Sequence, residues 1–104
     1  MDETALVRAA RQGDLEAFNR LVLAYQGLAY NVALRITGET RSAEDATQEA
    51  FISAFRSLRS FRGGSFRAWL LRIVTNACYD ELRRQKRRPA SSLEDIPASE
   101  EGVD

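Results

Sequence analysis

The residues best suited to chemistry lie between positions 61 and 88, where arginines recur together with an asparagine and a carboxylate. Steps of three or four residues place one such set on a single face of a helix: Arg72, Asn76, Asp80, Arg83 and Arg87. Guanidinium groups can neutralise phosphates, an asparagine can read a base edge, and nearby aromatic rings can stack on unpaired bases. The pattern is typical of a nucleic-acid contact, and a solvated basic helix face has the same appearance.

Signals for catalysis are weak. The chain contains no histidine, which is the commonest general base and metal ligand. Asp45 and Glu49 form a carboxylate pair, but near a helix N-terminus such a pair more often complements the helix dipole than binds a metal. Gly63 and Gly64 precede a helix, but the G-x-x-x-x-G-K-[ST] pattern of a phosphate-binding loop is absent. We therefore expect neither an enzyme nor a bound metal or cofactor.

Helical periodicity predicts two helices in the first third of the chain. The first, over residues 4–12, ends at Gly13, because a left-handed residue suits a helix C-terminus. Asp14 is the expected N-cap of the second helix, residues 15–37, since its carboxylate can accept a hydrogen bond from a free backbone amide. Gly27 is the position at which this helix could bend or break.

Two further helices follow a polar connector at residues 38–42. Ser42 and Asp45 have the spacing of a capping box, which predicts a third helix from Ser42 to about Leu58. Ser65 is the expected N-cap of the fourth helix, and the two glycines before it permit a sharp turn.

The predicted fold is all-α, a compact bundle of three or four helices, because no segment has the two-residue alternation of a strand. Five aromatic side chains are expected to share its core: Phe18, Phe51, Phe55, Phe66 and Trp69. The apolar face of the fourth helix is expected to be buried: Phe66, Trp69, Leu70, Ile73, Val74, Ala77 and Leu82. On the third helix Ile52 shares an exposed face with charged residues, which indicates a protein contact.

Charge divides the chain in two. Residues 1–88 carry fifteen basic and ten acidic residues, a net charge of +5, whereas residues 89–104 carry five acidic residues and no basic one. We expect a basic helical domain over residues 1–88 and a disordered acidic tail or linker over residues 89–104. The single cysteine, Cys78, fits a reducing cytoplasm, and the sequence has no signal-peptide pattern or membrane-length apolar run. A cytoplasmic protein without membrane insertion is therefore predicted.

Two stretches resemble a known family. Residues 45–55, DATQEAFISAF, resemble region 2.2 of bacterial sigma factors with its D-x-x-Q-E core. Residues 61–88 resemble regions 2.3 and 2.4 of the extracytoplasmic-function (ECF) group of the sigma-70 family, and residues 15–38 are similar to the preceding helices of that group. The resemblance spans about residues 4–90. It implies a region 2 domain that binds the coiled coil of the RNA polymerase β′ clamp and captures the −10 promoter element as single-stranded DNA.

The resemblance assigns residues to two surfaces. The clamp-binding face comprises Asp45, Gln48, Glu49, Ile52 and Arg56. The DNA-binding surface comprises Phe61, Arg62, Gly63, Gly64, Ser65, Trp69, Arg72, Asn76, Tyr79, Asp80, Arg83, Arg84 and Arg87. Within the second set Trp69 lies in the apolar stripe, which favours a core position over a stacking platform.

The family also implies an anti-sigma factor as a regulator. Full-length members carry a second domain, region 4, for the −35 element, and the residues after Arg88 are too few to form it, so region 2 with the start of its linker is expected here. Two alternatives stay open from the residues alone: a helical protein-interaction module, and a helix-turn-helix module that would prefer duplex DNA.

Overall fold

The computed structural model describes residues 2–87, so the predicted domain boundary at Arg88 and the acidic tail at 89–104 lie outside the described residues. The helices are α1 (Glu3–Arg11), α2 (Leu15–Thr37), α3 (Thr40–Ser57) and α4 (Phe66–Lys86), with a 3₁₀ helix at Leu58–Ser60 between the last two. The predicted all-α bundle is confirmed. None of the helices in the described part of the chain is long and apolar enough to cross a membrane.

Local cap chemistry sets where three of the helices begin. In each, the side chain of the N-cap accepts a hydrogen bond from the backbone amide three residues later: Asp2 from Ala5 at 2.8 Å, Asp14 from Ala17 at 3.1 Å and Ser65 from Ala68 at 3.0 Å. The predicted caps at Asp14 and Ser65 are confirmed.

The break that was possible at Gly27 does not occur, because α2 is one continuous helix through that position. Gly27 faces solvent, whereas Ala29 and Ala33 are completely buried and keep the next turns of α2 against the core. Packing of the flanking turns therefore outweighs the roughly 1 kcal/mol that a helical glycine costs relative to alanine.

The predicted capping box at Ser42 is wrong. Gly38 ends α2 in a left-handed conformation, with φ +74°, and its amide donates to the Leu34 carbonyl at 2.8 Å. Glu39 is extended and α3 begins at Thr40, two residues before the predicted cap. Ser42 consequently lies inside the first turn of α3 and is only 2% exposed.

The core lies where α2, α3 and α4 pack against one another, and α1 packs on α2. From α3 it receives four small side chains that are at most 1% exposed: Ala43, Ala46, Ala50 and Ala54. Small residues at these positions let the backbone of α3 approach its neighbours closely. The core face predicted for α4 is buried at Phe66, Leu70, Val74 and Ala77 and partly buried at Trp69, Ile73 and Leu82.

Four of the five aromatic residues predicted to share the core lie in or pack against one core cluster: Phe18, Phe51, Phe66 and Trp69. The aromatic rings make contacts in two groups. Phe18 and Phe55 pack edge to face with ring centroids 5.0 Å apart, and Phe55 is 42% exposed. The second group joins Tyr25, Phe61, Phe66 and Trp69 at the start of α4. The expectation of a buried Phe55 is therefore wrong.

Candidate nucleic-acid and protein interfaces

The glycine loop, residues 61–65, connects the 3₁₀ helix to α4 and carries the first part of the predicted DNA-binding surface. Gly63 and Gly64 both adopt positive φ, at +102° and +82°, a region that residues with a side chain seldom occupy. A Cβ atom built at either glycine meets nothing within 4 Å. The backbone conformation therefore requires glycine here, and the space beside the loop is open to a ligand.

An aromatic cluster holds both ends of the glycine loop. The Phe61 ring lies 5.3 Å from Trp69 and 5.8 Å from Phe66, and Tyr25 lies 5.6 Å from Phe66. Aromatic pairs at these separations are favourable beyond the area that they bury. Phe61 is only 6% exposed, so its ring packs beneath the loop and presents little surface to a ligand in this conformation.

Trp69 has the half-buried position that its place in the apolar stripe favoured. Its ring packs on Phe61 and on Phe66, the latter at 5.6 Å. Because it bridges the loop and the first turn of α4, Trp69 fixes how the loop is oriented relative to the helix.

The basic stripe of α4, which consists of Arg72, Asn76, Asp80, Arg83 and Arg87, is exposed at every position. It extends over about 22 Å of helix axis at 1.5 Å per residue. Tyr79, one turn beyond Asn76, is 50% exposed. The remaining members of the predicted set are also exposed: Arg62, Gly63, Gly64, Ser65 and Arg84.

Two ion pairs organise the second half of α4. Asp80 pairs with Arg83, and both side chains are about 60% exposed, so the pair orients a guanidinium group at little gain in stability. Glu81 pairs with Arg84 at 2.9 Å, and the Glu81 side chain is only 9% exposed. The burial of Glu81 distinguishes the second pair.

Glu81 belongs to a polar network that connects α4 to α3. Gln85 Nε2 donates to Glu81 Oε2 at 3.4 Å and to the Ser42 hydroxyl, which itself donates to Glu39 Oε1 at 2.8 Å. Burial raises the pKa of the Cys78 thiol, and the nearby negative charge of Glu81 raises it further. The sequence reasoning did not predict this network.

A signal for the burial of Glu81 was present in the sequence. Leu70, Val74 and Ala77 are buried on α4, and Glu81 continues their spacing of four, three and four residues. A carboxylate at the next position of an apolar stripe indicates a buried charge that requires partners.

The predicted protein-binding face lies on α3, and Asp45, Gln48, Glu49, Ile52 and Arg56 are all exposed there. Ile52 is 40% exposed, which leaves an apolar side chain without cover among polar neighbours in the described part of the chain. Phe55, which the sequence reasoning placed in the core, follows three residues later and is exposed to the same degree. The face therefore has a larger apolar part than predicted.

Comparisons of the sequence with known proteins point to one family. The family model described as Sigma-70 region 2 matches residues 21–88. The chain is 43% identical over 103 residues to the ECF RNA polymerase sigma-E factor of Escherichia coli K12, an alignment that covers 96% of this chain and 51% of that protein. It is 42% identical over 88 residues to the RNA polymerase sigma-H factor of Pseudomonas aeruginosa, covering 84% of this chain and 46% of that protein. The chain thus spans about half the length of the curated relatives that it matches.

Two solved structures are similar as well. An engineered region 2 of sigmaE, determined by NMR in complex with GTAAAA, superposes with a TM-score of 0.81 at 37% identity and covers 86% of this chain and 94% of that chain. CnrH in complex with the cytosolic domain of CnrY superposes with a TM-score of 0.66 at 32% identity, covering 96% of this chain and 65% of that chain.

Proposed function

This chain belongs to the sigma-70 family through its region 2, within the ECF group, and on that basis we propose that it recognises promoter DNA for RNA polymerase. In this proposal the glycine loop and the basic stripe bind the melted −10 element as a single strand. The exposed face of α3 binds the β′ clamp coiled coil of the polymerase core. The domain acts by binding and carries out no catalysis of its own.

The observation that carries the DNA proposal is the open glycine loop directly beside the basic stripe. A base that leaves the stack needs close backbone approach and hydrogen-bonding groups for its edge. The successive left-handed glycines provide that approach, and no part of the described chain fills the space beside them. Arginines on the stripe supply phosphate contacts. The similar region 2 structure was determined in complex with GTAAAA, which supports a nucleic-acid ligand here.

The base-reading role is tested by Asn76→Ala, measured by fluorescence anisotropy with labelled single strands recovered from a random pool. Loss of the amide should cost roughly 1–3 kcal/mol of discrimination between the selected strand and a scrambled one. Arg87→Ala should instead weaken binding of both strands alike, because a phosphate contact carries no sequence information. Asn19→Ala, an exposed asparagine on α2, is the matched control.

Two outcomes contradict this assignment. Undiminished discrimination in Asn76→Ala would remove the base-reading role from α4. Preference for duplex over single-stranded DNA of the same sequence would favour a helix-turn-helix module instead.

We propose the α3 face as the polymerase contact because it combines carboxylates, an amide and the exposed apolar side chains of Ile52 and Phe55. Apolar contacts at the centre of such a face provide affinity, and the surrounding charges provide register. Asp45→Ala and Gln48→Ala should each weaken binding to a β′ coiled-coil fragment, by about 1 kcal/mol or more, with helical content unchanged. Glu44→Ala changes the exposed carboxylate next to Asp45 and is the control. Equal binding by Asp45→Ala and Glu44→Ala would refute the assignment.

An anti-sigma factor is proposed as a further partner. The similar CnrH structure contains the cytosolic domain of CnrY, which supports a protein ligand on this fold. Because the polymerase core is the proposed main partner, the chain is expected to act in the cytoplasm.

A further inference from the structure

Three arginines converge outside both proposed surfaces. Arg8 and Arg11 on α1 and Arg59 on the 3₁₀ helix line an open concavity of about 490 Å³, together with Gln12. Arg11 donates a hydrogen bond from its guanidinium group to the Arg59 carbonyl at 3.5 Å, which joins the two elements. We call Arg8, Arg11 and Arg59 the arginine cluster. Neither the clamp-binding face nor the DNA-binding set includes any of them.

No carboxylate neutralises the arginine cluster within residues 2–87, because the ion pairs there are Arg83 with Asp80 and Arg84 with Glu81. Favourable interaction with the C-terminal end of the α1 dipole accounts for two cations in its last turn. It does not account for a third cation supplied by a different element and directed to the same concavity. Like charges brought together without an anion repel each other, so the arrangement indicates an anionic ligand.

The arginine cluster lies close to the glycine loop along the chain, because Arg59 is two residues before Phe61. Arg59 precedes Arg62 by three residues, and their Cα atoms are at most about 11 Å apart along the chain. The other end of α1 is fixed to the same region, because the Tyr25 hydroxyl donates to Glu3 Oε1 at 2.6 Å and the Tyr25 ring packs on Phe66. The cluster is therefore held at a set position relative to the loop.

We propose that the arginine cluster binds the phosphate backbone of the same single strand where it continues beyond the bases held by the glycine loop. This inference rests on the proposed function. Guanidinium groups bind phosphates through paired N–H donors, and an open concavity admits a backbone of any sequence. The cluster thus adds affinity and salt dependence without adding base specificity.

The test compares Arg8→Ala/Arg11→Ala with Arg20→Ala/Arg35→Ala, which removes the same charge from exposed positions on α2. Binding is measured against salt for GTAAAA and for GTAAAA extended by ten thymidines at its 5′ or its 3′ end. For an extended strand the cluster variant should make the negative slope of log K against log salt shallower by about 1.4, at about 0.7 per lost phosphate contact on a single strand. The control should leave that slope unchanged, and both variants should bind the bare hexamer as the parent does.

Arg8→Lys/Arg11→Lys keeps the charge, so its slope of log K against log salt should be close to that of the parent. This variant separates the loss of a phosphate contact from a change in the packing of α1. Equal losses in the cluster and control variants would overturn the inference, as would an extension that adds no affinity at either end. If the parent does not discriminate GTAAAA from a scrambled hexamer, base reading fails for that sequence, yet the slopes measured on thymidine extensions still decide the role of the cluster.

Discussion

Alanine substitutions at two glycines should change the stability of this domain in opposite directions. Gly27 lies in the interior of α2 with solvent around it, and Gly64 has φ +82° in the glycine loop. A new Cβ atom meets nothing within 4 Å at either position, so steric clashes do not contribute. Gly27→Ala should stabilise by about 0.8–1.0 kcal/mol, the difference in helix propensity. Gly64→Ala should destabilise by about 1–2 kcal/mol, the cost of a left-handed residue with a side chain.

Thermal and urea denaturation followed by circular dichroism at 222 nm measure both effects. Each kcal/mol corresponds to about 4–8 °C in a domain of this size, so the melting temperatures of the two variants should differ by roughly 7 °C or more. The slope of the urea transition should be unchanged, since neither substitution alters the surface exposed on unfolding. Melting temperatures that shift in the same direction would refute the reasoning. A stable Gly64→Ala protein would show that the loop backbone can relax to another conformation.

Two other predictions concern the polar side chains of Tyr25 and Glu81. Burial, and then the hydrogen bond that its hydroxyl donates to the Glu3 carboxylate, raise the pKa of Tyr25 to about 12, above the value of about 10 expected in the unfolded chain. The resulting stabilisation is present below pH 10 and is lost as pH rises towards 12. The difference in unfolding free energy between the parent and Tyr25→Phe, measured by urea unfolding, should therefore shrink over that range. A difference that stays constant with pH would contradict this prediction. Glu81→Ala should destabilise by about 1–3 kcal/mol, because it removes the buried partner of Arg84, whereas Asp80→Ala at the exposed pair should stay within about 0.5 kcal/mol. If Glu81→Ala and Asp80→Ala lower the free energy of unfolding equally, burial does not make the Glu81 carboxylate more important for stability.

Local chemistry was sufficient to predict most of the helices. Asp14 and Ser65 cap α2 and α4 as their side-chain oxygens indicated, and α2 has the predicted bounds. Capping and the left-handed conformation of glycine depend on a few neighbouring residues, so they can be read without tertiary information. Exposure of the basic stripe and of the α3 face followed from helical spacing for the same reason.

Ser42 and Gly27 show the limits of local reasoning. Ser42 has the spacing of a cap, but Gly38 and Glu39 complete the turn earlier, and the hydroxyl is used for a hydrogen bond with Gln85 of another helix. Gly27 is a poor helix former, but the turns around it are held in the core. In both cases contacts from distant parts of the chain outweigh a local preference of about 1 kcal/mol.

The sequence by itself determined the helical fold, the family and the residue types on both proposed surfaces, because these depend on periodicity, capping and motif spacing. Tertiary structure decided which aromatic rings are covered: Phe61 is buried beneath the glycine loop, and Phe55 is exposed beside Ile52. It also joined Gln85 of α4 to Ser42 of α3, and it brought Arg59 next to Arg8 and Arg11 from about fifty residues away in the sequence. These arrangements arise from how helices pack in three dimensions, and spacing along one helix carries no information about them.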